Sequence, residues 1–318
     1  MAQQPGKGTF FMKKATLKDI AKAAGVSVAT VSYVLNNAPN QTIPDETRCR
    51  VLDAAKQLNY VPNLTARSLV MQKSGLIGIL INRPESDGSW SRLRHAHFVD
   101  GLERLLTERG YHVILSGLDA ANPKLDIISE RKLDGVFVVD AKKESFHLIS
   151  SRFSEGVPLI AVDSVIDDPL FYKLNYDYED AFTKLGASVN LEQSYLIAED
   201  FNNAELAASI TRSSGIPADR THVMKNEERL RQFLAINTNR TGIVLNEFTS
   251  AIAAQHVDPA KLAVICTAGC PDIVPHAASR IAFGSRKPEA AFELMLQLLD
   301  DPGSGPKQKY IQIKAVNG

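Results

Sequence analysis

The stretch that decides the fold of the amino-terminal region is Leu17-Lys18-Asp19-Ile20-Ala21-Lys22-Ala23-Ala24-Gly25-Val26-Ser27-Val28-Ala29-Thr30-Val31-Ser32. Apolar residues recur in it at the spacing of one helix face, which predicts two short amphipathic helices. Gly25 ends the first helix, and Ser27 can cap the second. The two helices are expected to lock at a steep angle through Ile20, Ala21, Val26 and Val31. Helix, tight turn and helix together have the spacing of a helix-turn-helix unit.

The outer face of the second helix is expected to stay free for recognition, through Val28, Ala29, Thr30, Ser32, Tyr33 and Asn36. Hydroxyl and amide groups at such positions bind phosphate oxygens or the edges of bases. A small helical hairpin without a partner can imitate this spacing. The motif alone therefore favours DNA binding and leaves a purely structural interpretation open.

A third helix is predicted after a polar loop. Pro44, Asp45 and Glu46 suit its first turn, because proline fits there and acids favour the positive end of the helix dipole. Its predicted core face is Val51, Leu52, Ala55 and Leu58. A fourth, shorter helix is predicted over residues 63–70. About eight residues are too few for a stable isolated helix, so it requires DNA or a second copy of the chain.

The charge distribution separates this head from the rest of the chain. The 318 residues have a formal net charge of zero, but residues 1–73 carry ten Lys and Arg against four Asp and Glu. The remaining residues carry the opposite excess, 26 against 32. A basic head on an acidic body suggests a polyanionic partner. A solvated basic surface without a partner stays open on charge alone.

Composition excludes several classes of protein. Hydrophobic residues make up 44% and charged residues 23%, which is ordinary for a globular chain and unlike collagen or a disordered segment. The longest apolar runs are far shorter than a membrane span, and the start shows no secretory apolar region. Three cysteines suit a reducing cytoplasm better than a disulfide framework. We therefore expect a cytoplasmic protein with no membrane partner.

From residue 76 onward, apolar runs alternate with amphipathic stretches. Strands are predicted at residues 76–81, 111–116, 135–139, 158–162, 194–198, 241–245 and 262–266, and an edge strand at 310–314. Helices are predicted between them at residues 98–109, 177–185 and 228–235, and late in the chain at 288–299. This alternation predicts doubly wound parallel sheets. About 240 residues of it exceed one usual domain, so two lobes are expected.

Residues 15–81 resemble the lactose/galactose repressor (LacI/GalR) family of bacterial transcription regulators. The resemblance is carried by Thr16-Leu17-Lys18-Asp19-Ile20-Ala21, Gly25-Val26-Ser27, Thr30-Val31-Ser32, Leu35-Asn36, Leu58-Asn59-Tyr60-Val61-Pro62-Asn63, Ala66-Arg67-Ser68-Leu69 and Ile77-Gly78. It implies an all-α helix-turn-helix head joined to an α/β core that resembles two-lobed periplasmic binding proteins. The implied organisation is an extension at 1–14, the head at 15–62, a hinge helix and linker at 63–73, and an effector-binding and dimerisation core at 74–318.

The resemblance also implies how DNA is bound. A homodimer would place its recognition helices in two major-groove half-sites of a palindromic operator, with Val28, Ala29 and Tyr33 facing bases. Leu69 would wedge into the central minor groove. The other implied DNA contacts are Thr16, Ser27, Thr30, Ser32, Asn36, Asn63, Ala66 and Arg67. Val28 and Ala29 can touch thymine methyl groups but cannot form bidentate hydrogen bonds.

The resemblance also implies a small-molecule effector in the cleft of the core, with a sugar as one candidate. Residues at predicted strand ends are the candidates: Asn82, Arg83, Trp90, Asp163, Asn246, Glu247 and Thr267. The sequence departs from the family here, because Asn246-Glu247 replaces the usual Asn-Asp and Cys266-Thr267-Ala268-Gly269 contains no acid. The arginine expected near residues 203–209 is also missing. A sugar, another ligand and no ligand therefore all stay open.

Other classes have less support. Cys266, Cys270 and His276 do not have a recognised zinc spacing, and His95 and His97 do not share a helix face, so no metal is expected. Phosphate-binding, serine-hydrolase and zinc-protease motifs are absent, so we expect neither an enzyme nor a cofactor. A periplasmic-type binding protein without a DNA role is the alternative. The basic head and the absence of an export signal argue against it.

Overall fold

The structure is a computed structural model that describes residues 15–35, 42–60, 73–83, 93–119, 130–153, 156–283 and 286–317. The chain divides into two compact units, Met1–Gln72 and Lys73–Gly318. We describe each unit by itself. The unit boundary falls in the segment that the sequence analysis assigns to a hinge and linker, residues 63–73.

The first unit contains α1 (Leu17–Ala24), α2 (Val28–Leu35) and α3 (Asp45–Gln57). Thr16 begins α1 with a reciprocal capping box to Asp19, and Gly25 ends it in the left-handed conformation at φ 65°. Glycine adopts that conformation without a steric cost, which permits the tight turn into α2. The buried core consists of Ile20, Ala21, Ala24, Val31, Val34, Val51 and Ala54. The predicted helix-turn-helix is confirmed.

The predicted core face of α3 is partly wrong. Val51 is buried and Ala55 packs against the core, but Leu52 is 47% exposed and Leu58 is 38% exposed. Ala54, three residues after Val51, takes the inward position instead. Each step along a helix turns by about 100°, so Leu52 lies well away from the face defined by Val51.

The second unit begins with a lobe built on a parallel sheet of six strands within the described residues, in the order β11-β5-β4-β3-β1-β2. The strands are β1 (Leu76–Arg83), β2 (His112–Asp119), β3 (Gly135–Val139), β4 (Leu159–Val162), β5 (Tyr172–Tyr176) and β11 (Tyr310–Ile313). One face of the sheet is covered by α4 (Ala96–Glu108) and α10 (Arg286–Asp300), and the other by α5 (Lys143–Ser150). Helices on both faces define the doubly wound class.

The other lobe contains a sheet with the order β12-β10-β9-β8-β6-β7, in which only β12 runs antiparallel to its neighbour among the described pairs. Its strands are β6 (Ser194–Glu199), β7 (Thr221–Met224), β8 (Thr241–Leu245), β9 (Leu262–Cys266), β10 (Ser279–Ala282) and β12 (Val316–Asn317). Residues of α6 (Tyr178–Gly186) and α7 (Ala204–Ser214) cover one face, and residues of α8 (Glu227–Ala235) and α9 (Glu247–Ala253) the other.

The chain crosses between the lobes at three points: from β5 to α6, from β10 to α10 and from β11 to β12. The late helix and the strand after it therefore return to the first lobe. The predicted two-lobed, doubly wound core is confirmed. The carboxyl ends of β3 and β4 in one lobe and of β6, β8 and β9 in the other carry residues that meet between the lobes.

Candidate functional site

The outer face of α2 is a candidate surface for DNA recognition. Val31 and Val34 fix the inner face in the core, while Val28 is 41% exposed and Tyr33 is 40% exposed. Ala29 is exposed too, and Thr30 and Ser32 are half-buried. The three-helix core thus presents α2 with apolar side chains exposed near its start, at Val28 and Ala29, and with the phenol of Tyr33 exposed further along.

The hydroxyl groups at the starts of α1 and α2 have local partners. Ser27 Oγ accepts the backbone N–H of Thr30 at 3.0 Å and lies 2.9 Å from Thr30 Oγ1. Thr16 Oγ1 donates to Asp19 Oδ2 at 2.7 Å. All three hydrogen bonds are exposed, and the amino end of a helix favours anions, so these caps also mark positions suited to phosphate.

Several predicted contacts lie outside the described residues. Asn36, after the recognition helix, and Trp90, the candidate tryptophan of the cleft, lie there. The predicted hinge helix lies there too, with its candidate DNA contacts Asn63, Ala66, Arg67 and Leu69. Their roles stay predictions.

Between the lobes, strand ends bring together a group of polar residues. Asp140 follows β3, Asp163 follows β4 and Asn246 follows β8, and all three have positive φ, at 52°, 50° and 80° respectively. Positive φ is uncommon outside glycine, although aspartate and asparagine adopt it more readily than other residues. Backbone strain of this kind concentrates at ligand-binding and switch regions.

The centre of this group is Arg94, which lies two residues before the start of α4 and is buried. Its Nη1 lies 3.3 Å from Asp140 Oδ2, and its Nε lies 2.6 Å from Glu199 Oε2 at the end of β6. Its Nη2 also donates to the carbonyl oxygen of Asp200 at 2.9 Å. The guanidinium therefore bonds to both lobes. Phe201 lies beneath it, with the ring centroid 4.7 Å from Cζ.

A second ion pair lies beside the first. Lys287 Nζ, on α10, lies 2.5 Å from Asp163 Oδ1, and both side chains are buried. His95 Nδ1 lies 3.5 Å from the other oxygen of Asp163. The ammonium group of Lys287 also sits over the ring of Tyr176 at 4.1 Å from the centroid, a cation–π contact.

Glu247, the first residue of α9, holds the loop that follows β9. Its Oε2 accepts the backbone N–H groups of Thr267 and Ala268 at 3.0 and 2.9 Å, and its Oε1 accepts that of Cys270 at 2.9 Å. Both carboxylate oxygens are thus bonded to backbone. Glu247 therefore anchors this loop, and its predicted contact with an effector stays a prediction.

Burial dominates the electrostatics of the group. It raises the pKa of Asp140 to about 7, opposed by Arg94 and by backbone hydrogen bonds from Asn202 and Asn203. Burial raises the pKa of Glu199 as well, again opposed by Arg94. It lowers the pKa of His95 to about 3, which keeps the imidazole neutral at physiological pH.

These side chains fill the cleft almost completely. The open volume among them is about 20 Å³, room for one water molecule and far less than a ligand pocket of about 300–1,000 Å³. Its lining combines the charged residues with aromatic rings: Arg94, His95, His97, Phe98, Asp163, Tyr176, Tyr178, Glu199, Phe201, Thr267, Ala268, Gly269, Lys287 and Pro288. Charged and aromatic groups of this kind suit a small polar ligand, but this volume is too small to hold one.

The structure brings some predicted effector residues to the cleft and not others. Asp163 and Thr267 line it, and Thr267 Oγ1 donates to Glu199 Oε1 at 2.5 Å. Asn82 and Asn246 are buried, the former donating to the Val139 carbonyl and the latter capping α9. Arg83 is not among the lining residues: its side chain is exposed and occupies the space beside Gly117 on β2.

The sequence analysis did not identify four of the charged residues that form ion pairs in or beside the cleft. It noted that the family's usual arginine near residues 203–209 and the acids after the strand at 262–266 are missing, whereas the structure places Arg94, Lys287, Asp140 and Glu199 in or beside the cleft. Asp140 and Glu199 could have been found by the strand-end rule, since each lies at the carboxyl end of a predicted strand. Arg94 and Lys287 carry no local signal, because their partners are distant in sequence.

Three further features bear on the class of protein. Within the described ranges, no three or more His, Cys, Asp or Glu side chains are grouped so as to hold a metal ion. Among the helices of those same ranges, none combines the length and the apolar character needed to cross a bilayer. Burial raises the pKa of Cys266 to about 12, which disfavours a thiolate there.

The fold defines the class of a helix-turn-helix head joined to a two-lobed, doubly wound core. Residues 16–63 match the family model described as bacterial regulatory proteins, lacI family. Among solved structures, the lac repressor dimer bound to operator and the anti-inducer ONPF is similar over 95% of this chain and 97% of its own, with TM-score 0.72 and 20% identity. A CelR–cellobiose complex is similar at TM-score 0.55 and 15% identity, over 95% of this chain and 98% of its own.

Curated relatives carry regulator names. The probable HTH-type transcriptional repressor ExuR of Bacillus subtilis (strain 168) is 34% identical over 156 residues, 48% of this chain and 44% of its own length. The HTH-type transcriptional regulator MalR of Streptococcus pneumoniae serotype 4 is 31% identical over 187 residues, 54% of each. The chain thus spans about half of the length of the curated relatives that it matches.

Proposed function

We propose that this chain is a sequence-specific DNA-binding transcription regulator, a repressor, that binds a palindromic operator as a homodimer. The observation that carries the proposal is the outer face of α2, where Val28, Ala29 and Tyr33 are exposed on a helix held by a buried core. The match of residues 16–63 to the lacI-family model supports it. A helix so displayed is what the major groove admits.

Charge and chain organisation add support. The positive balance of residues 1–73 suits a phosphate backbone, whereas the rest of the chain has a negative balance. One head of this type reads only a few base pairs, and twofold-related heads provide the missing specificity. Residues 63–70 would act as the hinge helix of each protomer, with Leu69 at the centre of the operator.

We also propose that a small molecule, with a sugar as one class, binds between the lobes and alters operator affinity. The polar strand ends and the four aromatic rings of the cleft support a polar ligand of this size. The regulator would work in the bacterial cytoplasm, bound to the nucleoid when it occupies its operator. The cleft residues serve binding and not catalysis, and no cofactor is required.

The test is a selection from random double-stranded DNA with the full chain, followed by affinity measurements at two salt concentrations. A regulator enriches a palindrome and loses affinity steeply as salt rises, because bound phosphates release counterions. The variant Val28→Asp/Tyr33→Asp should lose the enriched site. The control Leu170→Asp/Ile236→Asp makes the same charge change in the second unit, at two surface residues that are 75% and 80% exposed. No enrichment would favour the binding protein without a DNA role.

A further inference from the structure

Arg94 has the bonding pattern of a bound ligand although it belongs to the chain. It extends from the first lobe, and its guanidinium is held by Asp140 of the same lobe and by Glu199 and the Asp200 carbonyl of the other. Planar guanidinium groups form such multiple bonds with fixed geometry. The ring of Phe201 completes the site from the second lobe.

The carboxylate opposite this guanidinium also joins the two lobes. Asp140 Oδ1 accepts the backbone N–H groups of Asn202 and Asn203, at 2.9 and 3.3 Å, and its Oδ2 accepts the Asn202 side-chain amide at 3.1 Å. Asp140 lies in the first lobe and both asparagines in the second. Opening the lobes would therefore expose Arg94, Asp140 and Glu199 to water together and break every bond of this set that crosses between the lobes, leaving only the contact between Arg94 and Asp140.

The charges of the cleft limit what could take the place of Arg94. With the guanidinium withdrawn, three carboxylates would remain, those of Asp140, Asp163 and Glu199. Among the charged residues that line or adjoin the cleft in the described part of the chain, Lys287 would be the remaining cation. His95 is also in the cleft and is buried. An anionic ligand would meet unfavourable charge, whereas a neutral or cationic ligand with several N–H or O–H donors could satisfy the two carboxylates that Arg94 had bound.

We infer that Arg94 is an internal ligand that holds the two lobes closed without an effector, and that an effector binds by displacing it, as a donor-rich neutral or cationic molecule. Displacement of Arg94 by an effector rests on the proposed effector function, whereas the role of Arg94 in holding the lobes closed does not. The open volume of about 20 Å³ agrees with a cleft already occupied by its own side chain.

The test measures the distance between the lobes in the full chain. Nitroxide labels are attached at Glu103→Cys on α4 and Ala208→Cys on α7, both exposed positions, in a Cys49→Ser/Cys270→Ser background that leaves the buried Cys266. Dilution with unlabelled protein isolates distances within one chain. The parent protein should show one narrow distance without ligand. Arg94→Ala should shift and broaden it, and Arg104→Ala, an exposed arginine of α4 paired with Glu108, should not.

Rescue separates an internal ligand from a residue that merely supports folding. Millimolar ethylguanidinium should restore the narrow distance in Arg94→Ala, and equal concentrations of ammonium or urea should not. If Arg94→Ala fails to fold, Glu199→Gln keeps the shape of the partner and should broaden the distance by itself, without rescue. A broad distance in the parent protein, an unchanged one in the folded variants, or equal rescue by ammonium would overturn the inference.

Thermal shifts with neutral polyols and with their phosphates test the ligand class separately. Neutral polyols should raise the Tm of Arg94→Ala more than that of the parent, since nothing then needs displacement. Stabilisation by the phosphates, or by neither class, would contradict the ligand class. Because the distance measurement requires neither DNA nor an effector, failure of the proposed function would remain distinguishable from failure of the internal ligand.

Discussion

The backbone N–H of Cys270 donates to Glu247 Oε1 at 2.9 Å, across 23 positions of sequence, and joins the loop after β9 to the first residue of α9. The other oxygen of the same carboxylate holds Thr267 and Ala268. One buried side chain thereby fixes the part of the second lobe that faces the cleft. Its removal should be felt in both stability and loop mobility.

Glu247→Gln should lower the free energy of unfolding by about 1.5–3 kcal/mol, the range for hydrogen bonds to a charged group. The amide can replace only one of the two acceptor oxygens. Denaturant unfolding measures the loss, and the labelling rate of the half-buried Cys270 thiol should rise. The matched change Glu228→Gln, on the exposed face of α8, should cost much less, because water screens an exposed ion pair. Equal costs for the two variants would contradict the anchoring role.

His95 should make the protein less stable in acid. Burial lowers its pKa to about 3, whereas the unfolded imidazole titrates near 6.5. Between these values the unfolded state binds a proton that the folded state does not, so stability falls as pH drops below about 6.5, by up to about 1.4 kcal/mol per pH unit. Asp140 and Glu199, whose pKa values are raised, contribute with the opposite sign in parent and variant alike.

The measurement is the unfolding free energy of the parent and of His95→Gln from pH 7 to pH 4.5. The variant should lack the histidine part of the slope, so the gap between the two proteins narrows in acid. His147→Gln makes the same chemical change at an exposed position and serves as the control. Parallel pH profiles for the parent and His95→Gln would refute the buried neutral imidazole.

Tyr33 should contribute more to base choice than Val28, because its hydroxyl is the only hydrogen-bonding group that the two side chains present. Tyr33→Phe should alter preference at one base pair by about 1–3 kcal/mol. Binding to a panel of single-base operator variants measures this, with Val28→Ala as the comparison. A uniform loss over the whole panel would assign the hydroxyl to phosphate and not to a base.

The core should form a homodimer without the head. The two compact units have their own cores, so the second unit is expected to keep its fold when residues 1–73 are removed. Light scattering at micromolar concentration on a chain of residues 74–318 measures the mass. A monomer would mean that the head or DNA drives pairing, and a tetramer would reveal a second interface.

Local signals made the head predictable. Gly25 ends the first short helix and Ser27 precedes the second, and the apolar spacing of both is visible within sixteen residues. This pattern can be interpreted without any contact that is distant in sequence. Strands β3, β8 and β9 were equally clear, since each is a short apolar run between turns. The error at Leu52 arose from helix phase, which apolar composition alone does not determine.

Distant pairings hid the remaining elements and the cleft. β5 was missed because its sequence contains Lys173 and Asn175, which are buried only through specific partners, such as the Asn175 bonds to the backbone of Ser164. Arg94 lies 106 positions from Asp200, and Lys287 lies 124 from Asp163. The periodicity of apolar residues along the sequence gives no information about pairs so far apart. The strand-end rule selected Glu247 as a candidate, but it could not show that backbone N–H groups already bond to both of its carboxylate oxygens.

The most direct test of the central claim compares one selected palindrome with the same DNA in which one half-site is scrambled. Two equivalent heads on a dimer predict that scrambling reduces the affinity of the full chain by at least about 100-fold at physiological salt, towards its affinity for random DNA. Fluorescence anisotropy with labelled duplexes measures both affinities. Equal binding to the intact, half-scrambled and random duplexes would contradict the proposal that this chain is an operator-binding regulator.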